Sequence, residues 1–441
     1  MGRPLDTIDK SSAKPDELRH GSPVITEEQI PDPHLLNSMR SVGYSLESAL
    51  SDLIDNSLAA EASRVEIFYR STGDQPLVAI VDDGRGMDPA EARKALRLAA
   101  VSSSESRSAT DLGRFGLGLK TASLSQARVL TVVSKKHDVV TALQWDLDCV
   151  ARLGTWSLNV LDEQDIASLP LVEKITGQES GTLVLLQNLD LLIGDAADPS
   201  KTMAEKFAIA ADHIELVFHR FIAGESSYKP IHVSINGRRL VALDPFLASH
   251  TATQRSPIEH IGTGANGITV QSFTLPHISK LTEEEREKGR IGKNMRDSQG
   301  FYVYRSRRLI DWGTWFRLAS KDELGKLARV KVDIPNSLDG LWGLDIKKSR
   351  AIPPEGVRKE LRRLVDRIVG QSKTVHQYRG RPDESQPDGV FVWELIQARD
   401  SFSYRINRDH PVLAQVEDRQ EQERLETILE VIEETFPVHD I

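Results

Sequence analysis

The sequence predicts an α+β protein in which helices pack against a mixed, half-buried sheet. Short segments rich in β-branched and aromatic residues, such as Val65–Arg70 and Arg128–Lys135, are typical of strands. Apolar and polar residues alternate with a period of two across Leu143–Asp148, which predicts a further strand with one buried face. The spacing of Leu46, Leu50, Leu53 and Ile54 places these residues on one face of a helix and predicts that this face is buried.

Composition limits the classes of protein to which the chain can belong. Its 441 residues are 39% hydrophobic and 27% charged, enough for two or three globular domains. The net charge of −9 argues against nucleic-acid binding through overall charge, although it leaves room for local basic patches. Cys149 is the single cysteine, so no intrachain disulfide or cysteine-based zinc site can form, and we expect it to be structural. The sequence has no apolar run of transmembrane length and no signal peptide, which predicts a soluble, cytoplasmic protein with no membrane partner.

Changes in composition divide the chain into four predicted regions. Residues 1–30 are rich in Ser, Pro, Asp and Lys and are expected to be flexible. A helical pattern across Ala204–Ala223 marks a boundary between two domains, and the polar, proline-containing stretch Ser372–Gly389 marks a linker. The predicted regions are 1–30, 31–203, 204–376 and a mostly helical region, 377–441.

The first candidate site lies on a helix predicted across Ala49–Ala62 (ALSDLIDNSLAAEA). Asp52 and Asn56 are four residues apart, away from the apolar stripe, and flanking alanines predict open space above them. A carboxylate can take a proton from water, and an amide oxygen can hold a hard cation. The alternative is an ordinary amphipathic helix with two polar residues on its surface.

The second candidate site follows the apolar strand Leu77–Val81. Asp82 ends this strand, and Gly84 and Gly86 follow it, so the backbone can approach a flat ligand closely. Asp82 could accept a hydrogen bond from an exocyclic amine. A plain Asp-Gly turn is the alternative. The next helix is predicted to begin at Pro89, with Asp88 as its N-cap.

The third candidate site is a glycine-rich turn, Gly113–Gly118, which follows the serine-rich loop Val101–Leu112 and opens a helix. Free backbone N–H groups and the positive end of a helix dipole suit phosphate groups. The turn is not a Walker loop, because it lacks the Gly-Lys-Ser/Thr ending. Nor is it a dinucleotide fingerprint, because no apolar strand leads directly into it.

Together these three segments resemble the motifs of the GHKL ATPase superfamily, which includes gyrase B, the cytosolic heat-shock chaperone ATPase, sensor histidine kinases and MutL. Ser180-Gly181-Thr182, before an apolar strand, resembles a fourth element of that family. The matching motifs cover roughly residues 46–190. The resemblance implies a Bergerat-fold α/β sandwich across residues 31–203 that binds and hydrolyses ATP with Mg²⁺.

The resemblance also implies a role for each matching residue. Asn56 would coordinate Mg²⁺, Asp82 would bind the adenine amine with support from Thr182, and Val101–Leu112 would be the ATP lid. Gly84 and Gly86 would line the base pocket. The phosphates would contact Gly113, Gly116 and Gly118, and the rest of the expected nucleotide-binding set is Met87, Arg114, Phe115, Leu117 and Lys120.

One departure from the family pattern concerns the catalytic base. Hydrolytic members usually have Glu where this chain has Asp52, whose side chain is one methylene shorter. A displacement of about 1 Å can slow catalysis greatly. Asp55 is a possible substitute, but it lies about 100° around the helix from Asn56. Asp52 therefore remains the expected base, and a nucleotide-gated interaction module with little turnover remains the alternative function.

The stretch Gly300–Arg317 combines alternating aromatic residues with a cluster of Arg305, Arg307 and Arg308. Basic and aromatic residues together can indicate nucleic-acid binding, which would make the protein a DNA-engaging clamp. We favour a strand and turn with the aromatic side chains in a core.

Later segments are similar to the ribosomal-protein-like transducer domain of MutL, gyrase B and MORC-type ATPases, which predicts a transducer across residues 204–376. That domain sends a lysine to the γ-phosphate of the neighbouring domain. In LWGLDIKKSR, Lys348 is the first choice for this catalytic role and Lys347 the second, unless both are simply solvated.

The whole pattern most resembles bacterial relatives of MORC and MutL ATPases. This resemblance implies an ATP-dependent homodimer that works as a clamp or switch. The C-terminal region is predicted to contain a helix at Val392–Arg399, a strand at Phe402–Arg408 and an acidic helix at Glu417–Glu434. The last helix could dock a protein partner or cap the domain.

Overall fold

The computed structural model describes most of the chain between residues 40 and 434. The described residues are 40, 43–71, 75–97, 118–225, 228–262, 267–290, 294–338, 342, 351–377, 392–397, 402–408, 410, 413 and 419–434. Several predicted features lie outside this set: the flexible segment 1–30, the lid Val101–Leu112, the turn residues Gly113–Leu117, and Lys347 and Lys348.

The first module is built on an eight-stranded sheet in the order β5-β4-β3-β6-β2-β1-β7-β8. Neighbouring strands are antiparallel except β1 and β7, which are parallel, so the predicted mixed sheet is confirmed. Its strands are β1 (Arg64–Arg70), β2 (Leu77–Asp82), β3 (Val129–Lys136), β4 (Val139–Asp146), β5 (Asn159–Val160), β6 (Gly181–Gln187), β7 (His232–Ile235) and β8 (Arg238–Arg239).

Helices cover this sheet and complete the predicted α+β arrangement. They are α1 (Leu46–Ala59), α2 (Pro89–Leu96), α3 (Gly118–Leu124), α4 (Leu147–Leu153), α5 (Glu163–Ser168), α6 (Glu173–Thr176), α7 (Asp190–Ile193), α8 (Pro199–Val217) and α9 (His219–Ala223). The apolar stripe of α1 packs with α8 in the main core, and Val78 and Ile80 of β2 face this core. Leu77 and Val81 face a smaller cluster on the other side, which explains why β2 is buried at every position.

Local geometry confirms the predicted N-cap at Asp88 and shows a tight hairpin turn at Asn236-Gly237. Helix α2 begins at a capping box, in which Asp88 accepts hydrogen bonds from the N–H groups of Ala90 and Glu91. Between β7 and β8, Asn236 and Gly237 have φ angles of 46° and 80°, the left-handed conformation that an Asn-Gly hairpin turn requires.

The predicted strand across Leu143–Asp148 is wrong at its carboxyl end. The strand β4 ends at Asp146, whose carboxylate accepts hydrogen bonds from the N–H groups of Asp148 and Cys149 and so caps α4. Cys149 therefore lies in a helix, where it is a partly buried free thiol.

The predicted boundary between residues 203 and 204 falls inside α8, and β7 and β8 beyond it belong to the first sheet.

The second module is built on a six-stranded sheet in the order β10-β11-β14-β12-β13, with β9 paired to β11. Its elements are β9 (Gln254–Arg255), β10 (Glu259–Ile261), β11 (Ile268–Thr274), α10 (Glu283–Arg290), β12 (Gly300–Arg305), β13 (Arg308–Thr314), β14 (Ala328–Ile334), α11 (Glu355–Gln377) and two 3₁₀ turns, Ile278–Lys280 and Asn336–Leu338. Helix α11 packs in the core with β11 and β14. Phe301, Tyr302 and Tyr304 are fully buried, so the predicted strand with core aromatics is confirmed.

The C-terminal region differs from the prediction. In place of the helix predicted across residues 392–399, β15 (Trp393–Gln397) pairs antiparallel with β16 (Phe402–Ile406). Periodicity cannot separate strand from helix in so short an apolar run, and the backbone pairing with β16 decides in favour of a strand. The strand β16 and the acidic helix, α12 (Arg419–Glu434), are confirmed. Among the described helices, none is long and apolar enough to cross a membrane.

The junction between the two modules combines an apolar cluster with buried polar contacts. Leu216 of the first module packs with Tyr302 and Tyr304 of the second. The imidazole of His219 lies 2.7 Å from the Tyr304 hydroxyl. Arg220 forms ion pairs with Asp333 on β14 and with Glu225. We call this set of contacts the junction.

His219 is expected to make stability depend on pH. Burial, with a smaller contribution from Arg220, lowers the pKa of His219 from 6.5 to about 3. Between these values the unfolded chain binds a proton that the folded chain excludes. Stability is therefore full above pH 6.5 and falls as the pH drops towards 3, by at most about 1.4 kcal/mol per pH unit from this group.

His219→Gln should flatten the pH dependence in that window, which urea unfolding between about pH 7 and 5 will measure. The exposed residue His232 on β7 provides the matched control, His232→Gln, which should leave the wild-type slope unchanged. Equal slopes in wild type and His219→Gln would contradict the prediction.

Candidate functional site

A buried carboxylate, that of Asp82, marks one end of the site. Asp82 ends β2 with 6% of its surface exposed. Its Oδ2 accepts a hydrogen bond of 2.8 Å from the Ser57 hydroxyl on α1, and its Oδ1 accepts one of 3.0 Å from the Gly84 N–H. Burial raises the pKa of Asp82 above its ordinary value, although both hydrogen bonds oppose this change. The helix and the turn thus fix the carboxylate in position.

Strand register brings two more polar side chains to Asp82. Thr182 on β6 lies opposite Asp82 on one side and opposite Ser134 on the other. The hydroxyls of Ser134 and Thr182 are 3.1 Å apart, and the Ser134 hydroxyl accepts a hydrogen bond of 2.8 Å from the Met87 N–H. Asp82, Thr182 and Met87 were all predicted site residues. Ser134 was not, since it lies within an apolar strand and has no motif around it.

The glycines after Asp82 allow close backbone packing. A Cβ on Gly84 would lie 2.8 Å from the Cβ of Ala60. Gly86 has a φ of +67°, and a Cβ there would lie 2.0 Å from the carbonyl oxygen of Lys135. Neither position can hold a side chain without moving backbone. The backbone of the turn therefore packs closely against Ala60 and Lys135, and a base pocket lined by Gly84 and Gly86 stays a prediction.

At the other end of the site, Asp52 and Asn56 occupy different environments on α1. Asn56 is exposed, so its amide is accessible to a cation. Asp52 is only 4% exposed, which corrects the prediction of open space above it. Its Oδ2 accepts a hydrogen bond of 3.3 Å from Tyr44, and its Oδ1 lies 3.5 Å from the guanidinium of Arg308.

Asp52 lies beside the last glycine of the glycine-rich turn. An ideal Cβ on Gly118 would lie 3.6 Å from Asp52 Oδ2, so a glycine here leaves space next to the carboxylate. Gly118 begins α3, which packs against α1. The structure thus brings the predicted base next to a predicted phosphate-binding residue that is distant in sequence.

Lys120 has contacts that the sequence did not predict. It is 2% exposed, and its ammonium donates hydrogen bonds of 2.9 and 3.0 Å to the carbonyl oxygens of Ala95 and Arg97. Burial lowers the pKa of Lys120 to about 8. These contacts attach α3 to the end of α2, and a contact between Lys120 and nucleotide stays a prediction.

The arginine cluster is not an exposed basic patch. Arg305 and Arg308 are 4% and 3% exposed. The guanidinium of Arg307 stacks on Tyr228, 3.6 Å from the ring centre, and lies 4.3 Å from the ring centre of Phe221. The strand-and-turn interpretation is confirmed: Arg305 and Arg308 are buried, and Arg307 is partly buried against aromatic rings.

The segment that contains the site is similar to a known family of ATPases. Residues 44–182 match the family of histidine kinase-, DNA gyrase B- and HSP90-like ATPases. This segment contains α1, Asp82 and Thr182, the elements that form the site. The chain therefore carries an ATPase domain of the GHKL type with the expected Bergerat fold.

Parts of the chain are also similar to curated MORC ATPases. The chain is 32% identical to the human ATPase MORC2 over 101 residues, which cover 22% of this chain and 10% of that protein. It is 31% identical to the Caenorhabditis elegans ATPase morc-1 over 199 residues, which cover 36% of this chain and 23% of that protein. The alignments thus span about a tenth to a quarter of these relatives.

A solved structure, the N-terminal domain of a DNA repair protein, aligns with 77% of this chain and 98% of its own chain. The TM-score is 0.47 and the sequence identity is 16%.

Proposed function

We propose that this protein binds ATP with Mg²⁺ and hydrolyses it to drive dimerisation, as a clamp or switch of the MORC or MutL type. The observation that carries the proposal is that α1 contributes to both ends of the site. Through Ser57 this helix holds Asp82, the proposed adenine contact, and it also carries Asn56, the preceding residue, and Asp52, five residues before Ser57. One rigid helix therefore fixes the distance between the two ends of the site.

The residues present fit a magnesium–nucleotide complex. Asn56 is exposed on α1 and would hold the ion through its amide oxygen, and a bound Mg²⁺ would neutralise charge on the phosphates. Asp52 would take the proton of the attacking water. The glycine beside it keeps the space next to Oδ2 free of a side chain.

The second module is proposed to act as the transducer. The segment that holds Lys347 and Lys348 lies between Trp342 and Ala351, both buried in the second core. The Ala351 N–H donates a hydrogen bond of 3.1 Å to Asp311 on β13, the strand that also carries Arg308. We propose that Lys348, or else Lys347, reaches the γ-phosphate from this segment.

The test combines equilibrium ATP binding with hydrolysis at several protein concentrations. We expect Mg²⁺-dependent binding and a turnover per molecule that rises with concentration, because the active form is a dimer. Size-exclusion chromatography with light scattering, with and without a non-hydrolysable ATP analogue, should show the dimer only with nucleotide. Absence of ATP binding would refute the proposal.

A nucleotide-gated interaction module is the second candidate function. Two properties of Asp52 favour this function. Its side chain is one methylene shorter than that of the usual glutamate base, and its carboxylate is enclosed by Tyr44 and Arg308. Tight ATP binding with dimerisation but no turnover would select this function. In that case the exposed apolar residues of α12, including Ile428 and Val431, are where we would look for a protein partner.

A further inference from the structure

The tip of the β12–β13 hairpin is inserted against the first module. Ser306 and Arg307 have φ angles of 48° and 70°, and they form a tight turn that pairs Arg305 with Arg308. Arg307 stacks on Tyr228 and Phe221 of the first module. Arg308, the next residue, points to α1 instead.

Arg308 joins two carboxylates of α1. Its Nη1 forms a buried ion pair with Asp55 Oδ2 and lies 3.5 Å from Asp52 Oδ1. All three side chains are less than 5% exposed. Two buried carboxylates repel one another, and a cation between them reduces this repulsion. The arrangement of both carboxylates therefore depends on the docking of the second module.

The contact with Arg308 also decides which oxygen of Asp52 faces the nucleotide side. Oδ1 faces Arg308, whereas Oδ2 faces Tyr44 and the space beside Gly118. Without the cation, the Asp52 side chain could rotate about χ1 and χ2. A rotation would move Oδ2 away from Gly118, and a base displaced by about 1 Å loses much of its effect.

We propose that Arg308 is a positioning residue, which holds Asp52 in the orientation that hydrolysis needs and so makes turnover depend on docking of the second module. This inference rests on the proposed ATPase function. Arg308 pairs with Asp52 and Asp55, whereas the adenine side of the site is formed by Asp82, Thr182 and Ser134. We therefore expect a change at Arg308 to affect hydrolysis far more than ATP binding.

The test separates kcat from KM in Arg308→Met. We expect kcat to fall by about tenfold to a hundredfold, while KM and the Kd for ATP stay within about threefold of wild type. An unchanged kcat would overturn the proposal. So would an increased kcat, which would mean that Arg308 restrains the base.

Arg220→Met is the matched control. Arg220 also makes a partly buried ion pair between the modules, with Asp333, and belongs to the junction and not to the nucleotide site. If Arg308 acts through Asp52, Arg220→Met will destabilise the protein but leave kcat within about twofold. A comparable loss of kcat in both variants would show that any weakened contact between the modules slows turnover, and would overturn the role of Arg308 in positioning Asp52.

A second variant separates positioning from misfolding. Removing one partner of a buried ion pair leaves an uncompensated charge, so Arg308→Met is expected to lower Tm. In Arg308→Met/Asp55→Asn the second buried charge is also removed, and part of the Tm should return. The proposal requires kcat to stay low, because Asp52 still lacks its contact. Recovery of wild-type kcat would overturn it.

A measurement without nucleotide distinguishes failure of this inference from failure of the proposed function. In a double-mutant cycle, thermal unfolding is compared for Asp52→Asn, Arg308→Met and the double variant. If Arg308 holds Asp52, the Tm shift of the double variant will be smaller than the sum of the single shifts. Additive shifts would overturn the inference even in a protein that hydrolyses ATP. Absence of hydrolysis in wild type, with non-additive shifts, would instead reject only the ATPase function.

Discussion

Asp52→Asn is expected to lower the turnover of ATP by at least about a hundredfold, the usual contribution of a positioned general base. The amide is isosteric with the carboxylate and keeps a contact with Tyr44, but it cannot take a proton from water. The Kd for ATP should stay within about threefold, because the proposed adenine contacts, Asp82 and Thr182, are unchanged in this variant. Single-turnover hydrolysis at saturating ATP measures the effect, and titration calorimetry measures the affinity.

Glu47→Gln is the control for this variant. Glu47 lies in the first turn of α1, is only partly buried and carries the same charge change on the same helix. Its turnover should equal that of wild type. If Asp52→Asn keeps more than about a tenth of wild-type turnover, the base is a different group, and Asp55→Asn becomes the next variant to measure.

Asn56→Ala should abolish the magnesium-dependent part of ATP binding. We expect the Kd for ATP in Mg²⁺ to rise by at least about tenfold, since a lost ligand to a cation is worth about 1.4 kcal/mol or more. In EDTA the affinity of the variant should match that of wild type. Calorimetric titrations with and without Mg²⁺ provide the comparison.

The exposure of Asn56 makes this experiment easy to interpret. Alanine is a good helix former, and an exposed position on α1 has no packing to lose, so Tm should hardly change. Ser48→Ala, two turns earlier on the same helix, is the matched control and should bind ATP as wild type does. An equal magnesium response in Asn56→Ala and wild type would remove Asn56 from the metal site.

The amino-acid sequence determined the local elements and the class of ATPase. The stripe of α1, the capping box at Asp88 and the Asn-Gly hairpin at Asn236 each depend on residues within one or two turns of each other. Such features can be predicted because the interactions that stabilise them are local. The motif residues Asp82, Gly84 and Gly86 likewise lie within five residues of the chain, and the fold around them agrees with the prediction.

Tertiary structure alone decided the groups around the two carboxylates of the site. Ser134 reaches the Asp82 end through strand register, and Arg308 reaches α1 from a hairpin 253 residues away from Asp55. Helical geometry predicted the face that Asp52 occupies but not what covers it, so open space was predicted where Tyr44 and Arg308 lie. The same limit applies to Trp393–Gln397, where pairing with a distant strand overrode the local helical pattern. Burial and pairing depend on which surfaces meet, and a local pattern in the sequence does not specify its partner.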